Sequence, residues 1–564
     1  MKSEKSSIRV NMAGYRPNEK QNVAVLSDSE LTVYDHDGKK VKTFSDILLK
    51  DDESSGDKVA LLDLGGLSEG KYVLKNGMDE RVISIGETAY KEVTDALIKG
   101  LYYQRCGIDL KKEYAGIHTH KACHTAPALE WEDRSVQKTI TGGWHDAGDY
   151  GKYVGPGAVT VAHLIYSYLL FPSGCSDELN IPESGNGIPD ILNEARWELE
   201  WILKMQKEDG SFYHKLTKAA FAPFIMPEDD LFPEYLMPVS HCATAAAVAV
   251  LALASGVYVE YDKDFSDKLL SASVKGWEWI EKNPEFKPFF NPEGVNTGMY
   301  GDFSDKDERF WAACELYSVT MEEKYMRAAE KIYKDAKDPE IRKKEEENNP
   351  FLQRMKKFHP NVERPLGLDV TQYGWMDVSG LGALCCLFRL KEKGGEILYN
   401  EVKKDFLEKS GKLIDIAGDS GYGTALKPTG YVWGSILTVM GNAMSMIVNW
   451  LLTGNREMRD TALNQFDYAL GMNALDISFV TGFGEKRVMN PHHRPSGADG
   501  IEEPVPGLIS GGPNKSWPYP ETREKLGDNP PAKYFLDELP SADTNEIAIY
   551  WNSPTVFVAA CFNS

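Results

Sequence analysis

The chain has 564 residues, 42% hydrophobic and 26% charged, with a formal net charge of −22. This is the composition of a globular protein of two to four domains, not of a disordered or fibrous one. The acidic balance argues against nucleic acid or an anionic membrane as partner, because phosphate binding needs clustered Lys and Arg; neutral ligands stay open and cationic ones are mildly favoured.

Residues 1–7 are polar and carry no apolar signal core, which fits either a cytoplasmic protein or one whose signal is absent from this chain. No run of about 18 apolar residues stands out, so no transmembrane helix is expected. Residues 8–87 read as short strands, such as Asn22-Val23-Ala24-Val25-Leu26 and Lys71-Tyr72-Val73-Leu74, parted by turns such as Asp37-Gly38. That spacing predicts a small β-sandwich. From about residue 90 the apolar period becomes helical, with roughly twelve stretches. The clearest lie near 90–106, 188–207, 241–259, 307–317, 375–392 and 432–453. The expected domains are 1–88 and 89–564. Eight cysteines in so long a chain are not a disulfide framework. Adjacent Cys385 and Cys386, in an apolar run, read as reduced core residues.

Cys106, Cys123, His124 and His145 could supply two thiolates and two imidazoles, a set for a tetrahedral structural zinc. The spacing alone is weak, and His118 and His120 compete as ligands. Next comes the densest segment, Gly142-Gly143-Trp144-His145-Asp146-Ala147-Gly148-Asp149-Tyr150-Gly151-Lys152-Tyr153-Val154. Asp146 and Asp149 stand three residues apart among rings and glycines. Paired carboxylates can hold a water and take its proton. A bare D-x-x-D reads equally as a turn; the rings, which offer flat faces, favour sugar chemistry. Further on, Gly301-Asp302-Phe303-Ser304-Asp305-Lys306-Asp307-Glu308 offers hard oxygen ligands, or simply an acidic helix start. A long loop, about 473–550, carries Asn490-Pro491-His492-His493-Arg494-Pro495 and then Glu546 beside the apolar run Ile547-Ala548-Ile549-Tyr550-Trp551. Loops of that length are usually functional or disordered. Burial at Glu546 would raise its pKa, as a general acid requires.

These segments resemble glycoside hydrolase family 9, the inverting cellulases. Residues 478–494 (SFVTGFGEKRVMNPHHR) fit the family's histidine signature at every defined position. Residues 535–553 (FLDELPSADTNEIAIYWNS) fit its acid signature with one departure, Ala542 in place of an aromatic residue. The start, Ile8-Arg9-Val10-Asn11-Met12-Ala13-Gly14-Tyr15-Arg16-Pro17, resembles the immunoglobulin-like module of one branch of the family. The resemblance spans the whole chain. It implies a multidomain protein: an N-terminal Ig-like β-sandwich followed by an all-α (α/α)6 barrel. It implies Asp149 as base, Asp146 as a holder of the water and Glu546 as acid. His492 and Arg494 match the family's substrate-binding pair, with Asp537 orienting Arg494, helping at the glycone side, or forming a structural salt bridge. Trp375 and Tyr550 are the expected cleft rings, Tyr519 a weaker one. Zinc-binding members with this two-domain layout carry the Cys106, Cys123, His124, His145 pattern. The family's calcium site matches Asp307 and Glu308, with backbone oxygens near Phe303 and Ser304 and Asp377 as a further ligand. The activity implied is an endo-β-1,4-glucanase acting with inversion on soluble cellulosic chains and cello-oligosaccharides. An exo-acting cellodextrinase or β-glucosaminidase is the alternative, and a non-catalytic carbohydrate-binding protein a remote one. A monomer is expected.

Overall fold

The computed structural model describes residues 6–349, 352–353 and 367–564. The first part is a sandwich of two antiparallel sheets. Strands β1 (Ile8–Arg9), β2 (Asn22–Val25), β6 (Lys58–Asp63) and β5 (Lys50–Asp51) form one, in the order β1-β2-β6-β5. Strands β3 (Leu31–Tyr34), β4 (Lys40–Phe44), β7 (Gly70–Asn76) and β8 (Asp79–Ile85) form the other, in the order β4-β3-β7-β8. Alternation sets the core. In β8, Arg81, Ile83 and Ile85 are buried, while Glu80, Val82 and Ser84 face out. Val23, Val25, Leu31, Val33, Leu74 and Ile83 fill the space between the sheets.

The rest is a helical barrel. Besides shorter helices in its loops, its barrel helices are α1 (Lys91–Tyr103), α2 (Val154–Leu170), α3 (Asp190–Lys204), α4 (His241–Tyr258), α5 (Lys263–Lys282), α6 (Lys306–Thr320), α7 (Glu323–Lys337), α8 (Ser379–Cys385), α9 (Glu396–Asp419), α10 (Ser435–Thr453), α11 (Arg456–Ala469) and α12 (Ile549–Asn563). The even-numbered helices make an inner ring in which α12 packs on α2, α2 on α4, α4 on α6, α6 on α8, and α10 on α12. Odd-numbered helices lie outside, as α5 does on α4 and α11 on α10. Sequence separates the two kinds. Inner α4, HCATAAAVAVLALASGVY, is apolar or small throughout and almost wholly buried. Outer α5 keeps charges on one side and buries Phe265, Leu269, Trp277 and Ile280 on the other.

Two inner helices correct the expectation about apolar runs. His241–Tyr258 and Ser435–Thr453, of 18 and 19 residues, reach mean hydropathies of 1.6 and 1.4 over 18 residues. Their place in the ring accounts for this, because an inner helix meets protein on most sides. A second departure is a small five-stranded sheet inside the helical part, in the order β10-β9-β13-β12-β11. Its strands are β9 (Ala128–Glu130), β10 (Gln137–Lys138), β11 (Lys152–Tyr153), β12 (Lys215–Thr217) and β13 (Tyr235–Leu236). Strands of two or three residues leave too short a pattern to read.

The sandwich meets the barrel through polar contacts. Asp476, buried and at φ 57°, accepts Arg81 and Lys486, with Arg9 at 3.8 Å. Asn11 donates to buried Asp467 at 2.8 Å, and burial pushes that carboxyl up to about 8. Removing one partner of a buried pair costs about 3–5 kcal/mol. Residues 89–564 alone are therefore expected to be poorly soluble or less heat-stable than the whole chain, measured as soluble yield and unfolding midpoint. A fragment equally stable but selectively unable to bind glucan would instead make the sandwich a sugar-binding module.

Candidate active site

The three segments singled out in the sequence meet around one backbone knot. The Gly148 carbonyl accepts the backbone N–H of Arg494 at 3.0 Å and its guanidinium Nη1 at 2.8 Å. Ala147 bridges antiparallel to Ala548, and His492 bridges parallel to Glu546. The Ile549 N–H donates to the Asp146 carbonyl at 2.8 Å. Gly148 is obligatory here, since a Cβ would lie 1.9 Å from the His492 carbonyl oxygen. Main-chain bonds thus fix Asp146, Asp149, His492, Arg494 and Glu546 relative to one another.

Asp149 and Glu546 both line a cleft of about 760 Å³, together with Trp375 and Tyr550. Burial raises the Asp149 carboxyl, opposed by the Arg494 charge and by the Gly151 N–H, which donates to it at 2.9 Å. Burial, and then the Asp149 charge, push Glu546 up to about 8, with Arg494 opposing. Asp146 is held well above the carboxylate range by burial, although the Tyr300 hydroxyl donates to it at 2.5 Å. Its other oxygen, Oδ1, is buried without a hydrogen bond.

His492 meets substrate as an acceptor and not as a donor. Its Nδ1 lies 2.7 Å from the Leu539 carbonyl, which only accepts, so Nδ1 carries the proton. Burial lowers this imidazole to about 4, so at neutral pH Nε2 is an acceptor. Buried His493 sits between Ser496 at 2.8 Å and Gln104 at 2.9 Å, a structural setting. Asp537 does not orient Arg494. Its oxygens take the N–H groups of Met489 and Asn490, both at 2.8 Å, and the Asn545 amide at 3.1 Å. It fastens the histidine loop to the segment carrying Glu546.

Sequence reasoning missed Tyr300, Trp433, Trp517 and Phe221, all of which line the cleft. Tyr300 also lies 4.8 Å from Trp375, edge to face, and 6.0 Å from Tyr550. The Trp433 indole lies close enough to Glu546 to draw its carboxyl down slightly against burial. Two of these rings sit between glycines, in Gly298-Met299-Tyr300-Gly301 and Gly430-Tyr431-Val432-Trp433-Gly434. That was a readable signal. Tyr519 packs edge-on to Trp433 at 5.5 Å. Lys215, also missed, is buried and donates to Asn291, Thr297 and the Gly298 carbonyl at 2.8, 3.0 and 2.6 Å. It anchors the loop that delivers Tyr300.

The donor atoms of Cys106, Cys123, His124 and His145 all lie within 4.8 Å of one another. The Cys106 N–H bonds to Gly143 and the His145 N–H to Gln104, so two ligands share the backbone that leads into Asp146. His124, at φ 49°, turns its other ring nitrogen to Asp230 at 3.4 Å, the carboxylate–histidine arrangement that orients metal ligands. Lys152 donates to Cys106 Sγ at 3.3 Å. The set fits a closed tetrahedral N/S site. His118 and His120 stay apart from it, bound to Asp499 and the Lys121 carbonyl at 3.3 and 2.7 Å.

The second acidic group overlaps the expected set at Glu308. The atoms that converge belong to Cys242, Asp302 and Glu308. The Phe303 carbonyl accepts the Asn349 amide, and the Ser304 carbonyl the Cys242 thiol at 3.3 Å. Asp307 accepts the Val378 N–H at 2.9 Å, and Asp377 binds the N–H groups of Asp369 and Ser379 at 3.2 and 3.0 Å. Each of these oxygens keeps at least one further lone pair, so the five expected calcium ligands stay available to a cation. A thiol is a soft donor and suits calcium poorly. What does fit a cation is the crowding of buried Asp302, Asp305, Asp307 and Glu308, with Glu308 Oε2 lacking a hydrogen bond.

An (α/α)6 barrel with buried carboxyl groups in a ring-lined cleft defines the class: a glycoside hydrolase. Residues 90–559 match the model of "Glycosyl hydrolase family 9", and residues 3–81 that of the "Cellulase N-terminal ig-like domain". The chain belongs to glycosyl hydrolase family 9. It is 38% identical over 558 residues to a cellodextrinase of Butyrivibrio fibrisolvens, covering 98% of both chains. It superposes with TM-score 0.88 and 30% identity on a thermostable endoglucanase from Alicyclobacillus acidocaldarius, covering 99% of this chain and 100% of that one. A Zn-binding triple mutant of the family 9 endoglucanase J30 matches with TM-score 0.86 and 28% identity, over 97% of this chain and 99% of that one.

Proposed function

We propose that the protein is an endo-β-1,4-glucanase that hydrolyses soluble cellulosic chains and cello-oligosaccharides with inversion. The observation that carries this is the joint placement of Asp149 and Glu546. The two lie about 400 residues apart in sequence, yet both are buried in one ring-lined cleft. At 760 Å³ the cleft is at the roomy end of small-molecule pockets, with space for several sugar units. In this mechanism Asp149 takes a proton from water on one face of the sugar as that water attacks the anomeric carbon. Glu546, kept protonated by burial, gives its proton to the leaving glycosidic oxygen from the other side. Asp146, steadied by Tyr300, helps to hold the water. His492 accepts a hydrogen bond from a sugar hydroxyl through Nε2. Arg494 spends Nε on the Ala222 carbonyl and Nη1 on Gly148, so it acts first by charge.

Zinc held by Cys106, Cys123, His124 and His145 would brace the loop leading to Asp146, as a closed structural site with no place for a reacting water. A calcium ion near Asp302 and Glu308 would offset the buried acid charge.

A second reading, an exo-acting cellodextrinase, is favoured by the full-length similarity to the Butyrivibrio fibrisolvens cellodextrinase. Product analysis on carboxymethylcellulose against short cello-oligosaccharides separates the two. An endo enzyme should drop the viscosity of the polymer well before reducing ends accumulate. Rapid hydrolysis of the oligomers with the polymer's viscosity intact would establish the cellodextrinase.

A further inference from the structure

Residues 218–234 form a long connection between β12 and β13, and it is pinned along its length. The Ala219 carbonyl accepts the Asn296 N–H at 2.7 Å, and the Ala222 carbonyl accepts Arg494 Nε at 2.7 Å. The Ile225 carbonyl accepts the Tyr150 hydroxyl at 2.6 Å. Phe224 packs edge-on to His492 at 5.2 Å. The Asp230 carbonyl takes Lys218 Nζ at 2.7 Å, while its carboxylate faces His124. In the middle of this fixed segment Phe221 is left 48% exposed while lining the cleft. Single exposed apolar residues are ordinary on a protein surface. This one is set apart by its place in the cleft and by its backing, with the Arg494 guanidinium 5.7 Å from its ring centroid and 5.4 Å from that of Phe224.

We infer that Phe221 is a carbohydrate-stacking residue, a ring platform on which one sugar unit of the substrate lies. The inference rests on the glucanase reading above. An all-equatorial β-linked glucosyl unit shows a face of C–H groups, slightly positive, and the π face of a phenyl ring is negative. The anchors remove the ordering cost that a loose aromatic residue would add on binding. Phenylalanine brings no hydrogen-bonding group, so it should select for sugar shape and not for hydroxyl pattern.

The test measures cello-oligosaccharide binding by titration calorimetry in a Glu546→Gln background, and kcat and KM in the active protein. Phe221→Ala should weaken binding, and raise KM at nearly constant kcat, by roughly three- to tenfold. Phe221→Leu keeps apolar bulk without a ring face and should lose as much. Phe221→Trp should bind at least as well as the parent. Unfolding midpoints should stay level, as expected for a half-exposed side chain. The inference is overturned if Phe221→Leu binds like the parent, or if Phe221→Trp is as weak as the alanine variant. If the parent binds no β-1,4-glucan oligosaccharide, the glucanase reading itself fails.

Discussion

Glu546→Ala and Asp149→Ala should each lower kcat on an unactivated glucan by at least ~100-fold, the lower end of general acid–base contributions. The two should part company on an aryl cellobioside, whose leaving group needs no protonation. There Glu546→Ala should recover much of its rate, while Asp149→Ala stays slow because the water is still unactivated. The first product, followed by proton NMR, should be the α-anomer. The pH profile follows from the two carboxyl groups with opposite tasks. Glu546 works protonated, and burial pushes it up to about 8, so activity should fall as pH rises through about 8. Asp149 works ionised, and burial raises it from its ordinary value, so activity should fall as pH drops through that raised value. The apparent pKa values belong to the interacting pair. Near-normal turnover by either alanine variant, or a β-anomer as first product, would remove the assignment.

How much of this was legible in the chain varies with the kind of structure. The twelve-helix content was readable because inner and outer helices carry long patterns, as α4 and α5 illustrate. Their closure into a ring came from the resemblance, since periodicity says nothing about which helix meets which. Asp146, Asp149 and Glu546 stood out because dense local motifs surround them. Phe221 and Lys215 did not, and the flanking glycines of Tyr300 mark a ring but not its partner Asp146, 154 positions away. Asp537 shows the converse. Its motif position left a glycone-side or a structural role open, and the main-chain loop that its oxygens close is something only coordinates reveal. The calcium ligands show a similar limit: oxygen-rich spacing pointed to Asp307 and Glu308, while the approach of Cys242 and Asp302 to Glu308 needs the fold.

Protein prepared without added metal should contain one zinc per chain, and Cys123→Ala should contain almost none. The four donor atoms are close enough to share one ion, yet two are thiols and one of these lies against the buried Lys152 ammonium. Lys152 already offsets charge at Cys106, so the thiols do not by themselves require a metal, and elemental analysis decides whether zinc is bound. Asp230→Asn gives an intermediate case. It keeps the ligands but removes the carboxylate that orients His124, and such outer partners are worth roughly 10- to 100-fold in metal affinity. In both variants the unfolding midpoint should fall, because the set ties Cys106 and Cys123-His124 to the segment leading into Asp146. The product's anomeric form should stay α, as a closed site leaves no coordination position for water. Cys123→Ala with undiminished zinc would place the ion elsewhere. A switch of anomer on metal loss would show instead that the ion shapes the chemistry at Asp149, beyond holding the loop on which that carboxylate stands.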